Sequence, residues 1–442
     1  MSEPVDVVGI GVGPANLSLA ALLDPHSSIR SRFFERTLQF QWHPGLMFPE
    51  AVIQVPFVKD LVTLVDPTSR FSFLSFLSQA NRLYHFVNAS FPQVLRREFS
   101  EYYAWASSQL RSVDFSFDVG AVTYEGSDLV VHTKGVMQRT RHLVLGTGLS
   151  PSVPECAVSK LGPSVFHASE YRSQNLVVSS KRVVVVGGGQ TGAEVVQHLL
   201  SNTEALPAAV HWISRRSNFL PLDETPFTNE LFTPTYSDHF FKLPLNDRLR
   251  LLDEQRLASE GISPSLLRAI YRRLYELWYC DQGRCDWSLR PGRELIGLSR
   301  NHNGWVIAMR HALTGAIEVL YGDVVVLCTG YHKALPSYLD PIRNRLCIDD
   351  GRFAVEADFS IVWDGPLDRK IYVQNSARAQ RGIADPNLSL VAWRSAKIAN
   401  GIAGRQLYNV QPTRSFVSWD CDVPTAEQQL TEHSRANIRA NA

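Results

Sequence analysis

The sequence predicts an α/β chain, on three observations. Val5 to Leu23 reads as strand, glycine turn and helix. The same unit returns at Lys181 to Leu200. Each is followed by a second short strand, Ser31 to Arg36 in one case and Val210 to Arg216 in the other. Two such units imply two Rossmann-like dinucleotide-binding domains. With 442 residues, 45% hydrophobic and 20% charged, the chain can bury two or three ordinary cores.

In the first unit Val5, Val7, Val8 and Ile10 form a β-branched strand. Gly9, Gly11 and Gly13 then let the backbone turn tightly and lie bare against a ligand. The third place of the usual G-x-G-x-x-G is Pro14. From Asn16 onward Leu17, Leu19, Ala20, Leu22 and Leu23 suit a helix packed on a sheet, with a pyrophosphate at its amino end. Glu35 closes the second strand where an acid takes a pair of ribose hydroxyls. This combination favours an adenine dinucleotide.

Phe40 to Met47 carries Trp42, His43 and Pro44-Gly45, an unusual content for a plain connector, and Gln54 and Lys59 stand five apart in an apolar run. Phe71 to Leu77 and Phe99 to Leu110 read as aromatic-rich helices, and Val113 to Val122 and Leu129 to Thr133 as strands. His142 to Gly148 is a strand with a glycine-rich end, of the kind that returns beside the first turn, and Pro151 and Pro154 mark a linker.

In the second unit Gly187, Gly189 and Gly192 satisfy G-x-G-x-x-G, with Gln190 and Thr191 inside it, between four valines and a helix. The strand that follows ends in Arg215 and Arg216 instead of an acid. That arrangement pairs a 2′-phosphate and so selects NADPH over NADH. From about 220 to 290 the composition shifts to polar and aromatic residues and then a helix, Ser263 to Tyr279, with Leu266, Leu267, Ile270, Leu274 and Leu277 on one stripe, which reads as an insert or lid. Gly322 to Tyr331 echoes the earlier Leu-Gly-Thr-Gly strand. Ile371 to Ala403 starts as a strand, turns at Gly382 to Asn387 and continues as a helix, and the residues after about Thr425 are polar. The expected division is 1–165 for the first nucleotide domain, 166–350 for the second with its insert, and 351–442 for a return to the first domain and a tail.

The 44 basic and 43 acidic residues form no long like-charge block, which argues against a nucleic-acid or polybasic membrane surface. No stretch has the length and apolarity of a membrane span, and the first residues lack the pattern of a signal peptide, so the expected compartment is the cytoplasm. Six scattered cysteines lack zinc spacing, and free thiols and no metal are expected.

With both units go Trp42-His-Pro-Gly45, Gln54 to Leu61, Phe166-His-Ala-Ser-Glu-Tyr171, Cys328-Thr-Gly-Tyr331 and Asn387-Leu-Ser-Leu390. Together these make nearly the whole chain resemble the flavin-dependent N-hydroxylating monooxygenases of siderophore biosynthesis. That resemblance implies FAD on the first unit (Gly9, Gly11, Gly13, Pro14, Asn16, Glu35, Trp42, His43, Gln54) and NADPH on the second (Gly187, Gly189, Gln190, Thr191, Gly192, Arg215, Arg216). It also implies O₂ as co-substrate, a C4a-hydroperoxyflavin, a homo-oligomer, and a small amine as the partner molecule. Gln54 stands for the neighbour of the flavin's reactive edge, Lys59 for the partner of the substrate's non-reacting end, and Asn229 for the substrate-contacting residue of the insert. Asn387 and Ser389 match positions near the reacting amine, and Gln54, Asn229 and Ser389 are the expected catalytic set.

Ala258 to Ser263 replaces the Thr-Asn-Tyr-Ser of ornithine enzymes and points to the lysine and diamine branch. Asn229 with Glu260 to Ser263 tips the expectation toward a diamine, cadaverine or putrescine, with L-lysine and then L-ornithine as alternatives. Disulfide reductases lack support, since no Cys-x-x-x-x-Cys pair adjoins the first turn. A ketone or sulfide monooxygenase shares only the two glycine turns and a weak aromatic-His match at Phe166 and His167.

Overall fold

The computed structural model describes residues 3–201, 204–281 and 284–419, so the expectation for the residues after Thr425 lies outside it. Strand β1 (Val5–Ile10), helix α1 (Pro14–Leu23) and strand β2 (Ser31–Glu35) open the first unit, followed by α2 (Phe73–Gln79), α3 (Leu83–Ala89) and α4 (Arg96–Gln109). Four strands follow: β3 (Val113–Phe115), β4 (Val119–Glu125), β5 (Asp128–Thr133) and β6 (Met137–Leu145). β1 lies between β2 and β6, parallel to both, and is buried from Val7 to Ile10. Such unbroken valine-rich strands occur where both faces of a sheet are covered. The outer half of β6 pairs antiparallel with β5, which leaves its inner end free for a late parallel partner.

The chain crosses to the second unit through β7 (Ser150–Pro151) and the short α5 (Glu155–Val158). That unit holds β8 (Val165–His167), β9 (Arg182–Val186), α6 (Gln190–Ser201) and β10 (Ala209–Ser214). The insert consists of α7 (Pro226–Asn229), α8 (Pro234–Lys242), α9 (Leu245–Glu254), α10 (Leu257–Glu260) and α11 (Pro264–Tyr279). Next come β11 (Asp286–Pro291), β12 (Arg293–Asn301), β13 (Gly304–His311), β14 (Ile317–Gly322), β15 (Val324–Leu327) and β16 (Tyr331–His332). The second sheet runs β11-β10-β9-β15-β8, all parallel. β12 to β14 form a separate antiparallel sheet that the sequence pattern did not announce. β16 pairs antiparallel with β7, so the two crossings between the units lie side by side. The hairpin β17 (Ile348–Asp349) and β18 (Arg352–Phe353) precedes β19 (Ile371–Val373), which fills the free end of β6. The short α12 (Arg378–Arg381) leads into α13 (Val391–Ala403), which packs on α1.

Two boundaries differ from expectation. The insert ends at Tyr279 and not near 290, because β11 pairs with β10 and turns Trp287 and Leu289 onto the second core. The second unit ends near His332 and not at 350, since Leu339, Ile342 and Leu346 bury in the first core. No disulfide links the described cysteines, and no described helix is long and apolar enough to cross a membrane.

Candidate functional site

The first glycine turn is held by its neighbours. Gly11 has φ +83°, and a Cβ there would lie 2.7 Å from the Gly146 carbonyl, so both the left-handed backbone and the close approach of β6 require glycine. The Asn16 amide donates to the carbonyls of Ile10 (3.2 Å) and Gly11 (2.8 Å), pinning the turn to the strand that made it. Glu35 accepts from the Val12 N–H at 2.9 Å and from both the N–H and hydroxyl of Thr37 at 3.1 Å, which places its carboxylate at the turn with lone pairs to spare. At Gly13 the nearest atom to an added Cβ is 4.0 Å away, and Pro14 begins α1 where a missing N–H costs nothing.

The second turn repeats this with tighter packing. Gly187 has φ +132°, and an added Cβ would meet the Cys328 carbonyl at 2.0 Å; at Gly192 it would meet the Gly187 carbonyl at 2.1 Å. Gly189 has nothing within 4 Å, so here too one glycine faces open space. Of the two arginines after β10, Arg215 is exposed with no ion pair among the described residues. Arg216 is held by Glu260, with Nη1 donating to its carbonyl at 2.8 Å and Nη2 to its carboxylate at 3.1 Å.

The residues after β2 dock one unit on the other. A Cβ at Gly45 would lie 1.8 Å from the Ser169 carbonyl of the second unit, and Leu46, Phe48 and Ala51 are buried in the second core. Trp42 packs edge-on to Tyr103, and His43 stands in a left-handed conformation with its pKa pushed down to about 4 by burial and then by Arg96. His167 ties the second unit to the crossing strand by a 3.0 Å bond with the Gly330 carbonyl. Next to this contact lies a pair the sequence did not reveal. Arg96, at the start of α4, bonds Glu194 of α6 through both nitrogens at 2.6 and 2.9 Å, with side chains 13% and 5% exposed.

Gln54 lies where three parts of the chain meet. Its Nε2 donates to Ser263 of the insert at 3.1 Å and to Gln190 of the second turn at 3.3 Å. Gln190 also accepts from the Ser263 N–H and donates to Glu194. Thr191 follows Gln190 in the first turn of α6.

Lys59, five residues on from Gln54, is likewise half-buried. Its Nζ donates to Ser389 at 3.1 Å, and the Ser389 hydroxyl in turn donates to Asn387 at 2.8 Å, while the Asn387 side chain also caps the turn that follows. The ammonium stands 6.0 Å from the ring of Phe232, which the insert buries in the first core. No carboxylate lies within ion-pair distance of Lys59 among the described residues, and burial lowers its pKa. The adjacent Asp60 is occupied elsewhere, accepting from the N–H groups of Val62, Thr63 and Phe73. Thus Gln54, Gln190 and Ser263 form one cluster, and Lys59, Asn387, Ser389 and Phe232 another. Asn229 ends α7, exposed, three residues before Phe232, and makes no hydrogen bond to the lysine cluster.

The sequence model described as L-lysine 6-monooxygenase/L-ornithine 5-monooxygenase matches residues 3–333. The chain is 37% identical over 422 residues to L-lysine N6-monooxygenase of Escherichia coli, covering 95% of this chain and 99% of that one. Among solved structures it is similar to the FAD-bound cadaverine monooxygenase of the desferrioxamine pathway of Erwinia amylovora. There the TM-score is 0.90 at 30% identity, over 96% of this chain and 100% of that one. It is also similar to an ornithine N-hydroxylase of Kutzneria sp. 744 with reduced FAD, NADP⁺ and L-ornithine, with TM-score 0.84 at 31% identity over 91% and 99% of the two chains.

Proposed function

Because this chain belongs to the L-lysine 6-monooxygenase/L-ornithine 5-monooxygenase family, we propose that its substrate is L-lysine, hydroxylated at the side-chain nitrogen. It is an FAD- and NADPH-dependent N-monooxygenase of the siderophore-forming class. We assign FAD to the unit carrying Gly11, Gly13 and Glu35 and NADPH to the unit carrying Gly187, Gly189 and Gly192. The open space at Gly13 and Gly189 supports that assignment.

The observation that carries the substrate reading is Lys59, a half-buried cation whose only polar contact among the described residues is a hydroxyl. A substrate carboxylate would supply the missing charge, whereas the far ammonium of a diamine would bring like charge beside it. At about 4 Å and an effective dielectric near 20, the gross Coulomb term is about 4 kcal/mol in either case, with opposite sign, and desolvation of the charges and solvent screening reduce the net difference to a fraction of it. The residues that tipped the sequence toward a diamine have other employment. Glu260 holds three arginines, Ser263 holds Gln54 and Gln190, and Asn229 is exposed. The second reading, cadaverine, draws on the 0.90 TM-score to a cadaverine monooxygenase.

FAD held at Gly11, Gly13 and Glu35 would supply the redox chemistry, with NADPH as the reductant and O₂ as the oxidant, one oxygen atom going to the amine nitrogen and the other to water. Lys59 anchors the carboxylate, and Ser389 and Asn387 hold Lys59 in place. Only the neutral amine has the lone pair that attacks oxygen. Its ordinary pKa near 10.4 means that deprotonation at pH 8 costs about 3 kcal/mol, which burial offsets by disfavouring the ammonium. Gln54, Gln190 and Ser263 close the junction between units and insert, keeping water from the reacting atoms. We place the reaction in the cytoplasm, the compartment that supplies NADPH.

The test is hydroxylamine formation by FAD-loaded protein with NADPH and matched L-lysine, cadaverine, putrescine and L-ornithine. A kcat/KM preference for L-lysine over cadaverine of about 30-fold, or about 2 kcal/mol, is expected. A preference for either diamine overturns the substrate and leaves the reaction class standing.

A further inference from the structure

Glu260, the last residue of α10, gathers arginines from three parts of the chain. Arg216 reaches it from the end of β10, at 3.1 Å; Arg256 from the preceding turn of the insert, at 3.0 Å; and Arg378 from α12, beyond the strand that completes the first sheet, at 3.0 Å. No other carboxylate lies within ion-pair distance of these three guanidiniums among the described residues. With the neighbouring exposed Arg215, four positive charges share one negative charge. Burial raises the Glu260 carboxyl, and the arginine hydrogen bonds and charges more than reverse this, so it is ionised; burial and the like charges of Arg256 and Arg215 lower Arg216. The cluster is short of anion.

Its position says which anion. A Cβ at Gly188 would meet the Ser214 hydroxyl at 2.2 Å, so the end of β10 lies against the second glycine turn. The residue after that strand is where a dinucleotide presents its adenosine ribose in this fold. A 2′-phosphate there carries a charge of about −2 and three acceptor oxygens, which is the complement of planar guanidinium donors.

We propose that the 2′-phosphate of NADP(H) is received by the whole cluster, with Arg378 of the first unit as a specificity-determining residue that binds the second unit's nucleotide across the domain junction. This rests on the assignment of NADPH to the second unit. Glu260 is the positioning residue, keeping Arg216 and Arg378 from repelling one another before the nucleotide arrives. The phosphate then joins residues of both units, as Glu260 already does.

The experiment is isothermal titration of FAD-loaded protein with NADP⁺, NAD⁺ and adenosine 2′,5′-bisphosphate at two salt concentrations. Arg378→Gln is expected to raise Kd for NADP⁺ and the bisphosphate about tenfold, as befits one charged hydrogen bond. Its salt dependence should become shallower, while Kd for NAD⁺ moves less than about twofold, and Arg378→Lys should recover part of the loss. Arg378 is 42% exposed on its side chain, so the fold tolerates both changes. Equal weakening of NADP⁺ and NAD⁺, or no weakening of either, overturns the role of Arg378. A wild-type protein that binds the two dinucleotides alike overturns the 2′-phosphate assignment itself.

Discussion

Replacing Lys59 with methionine keeps an unbranched stem, one atom shorter, and removes the charge together with its hydrogen bond to Ser389. Lys59 is half-buried and its one polar partner among the described residues is the Ser389 hydroxyl at 3.1 Å, so within them the charge is neither cancelled by a carboxylate nor fully solvated. Its pKa in the folded chain lies below the unfolded value, the direction in which the charged form costs stability. That cost is present at neutral pH and disappears as pH rises through the folded pKa. Lys59→Met is therefore expected to leave Tm unchanged or slightly raised. Its effect on L-lysine is the reverse. Truncating one partner of a buried charge pair costs 2–5 kcal/mol, and partial exposure puts this case near the lower end. About 2–3 kcal/mol corresponds to a loss of about 30- to 150-fold in kcat/KM. The assay is hydroxylamine formation with L-lysine and cadaverine in parallel. Cadaverine, having no carboxylate and a second ammonium, should lose nothing or gain. An equal loss on both substrates would refute the carboxylate argument, since it would mean that Lys59 serves a step common to both amines.

Two glycines of the second turn should separate folding from binding. Gly192→Ala drives a methyl into the Gly187 carbonyl and should lower Tm sharply, whereas Gly189→Ala has free space, so Tm should hold while NADP⁺ affinity by titration falls at least about tenfold. Arg96→Met leaves the buried Glu194 without its cation, with the Gln190 amide as its remaining donor. It should cost about 3–5 kcal/mol in urea unfolding and increase NADPH oxidation that yields peroxide instead of hydroxylamine, because this pair joins the two units. The His43 pKa is lowered to about 4, by desolvation and then by Arg96, so stability present above about pH 6.5 falls as pH drops toward 4, an effect that solvent screening at this exposed residue keeps small. The slope of stability against pH in that window should be shallower in His43→Gln than in the wild type. Light scattering of the purified chain measures the homo-oligomer that family resemblance implies.

What the sequence determined by itself was everything written in short-range chemistry. A run of valines, a glycine that must take positive φ and a helix starting at Pro14 or Gln190 are each decided within about ten residues, and these placed both turns and both central strands. The family motifs were legible for the same reason, since Trp42 to Gly45 and Asn387 to Ser389 are contiguous. Even there the purpose of one glycine was hidden: Gly45 is small because the Ser169 backbone passes 1.8 Å from where its Cβ would be. Only the tertiary structure decided which polar groups meet. Lys59 and Ser389 are 330 residues apart, Gln54 and Ser263 are 209 apart, and Arg96 and Glu194 are 98 apart. Arg215 and Arg216 read alike in sequence, yet one is exposed and the other is clasped by Glu260, 44 residues on. An ionic side chain shows in sequence that it carries charge and never which charge it will face. That depends on how two sheets and an insert pack, and their packing is settled by apolar burial that takes no account of the ion pairs it brings together.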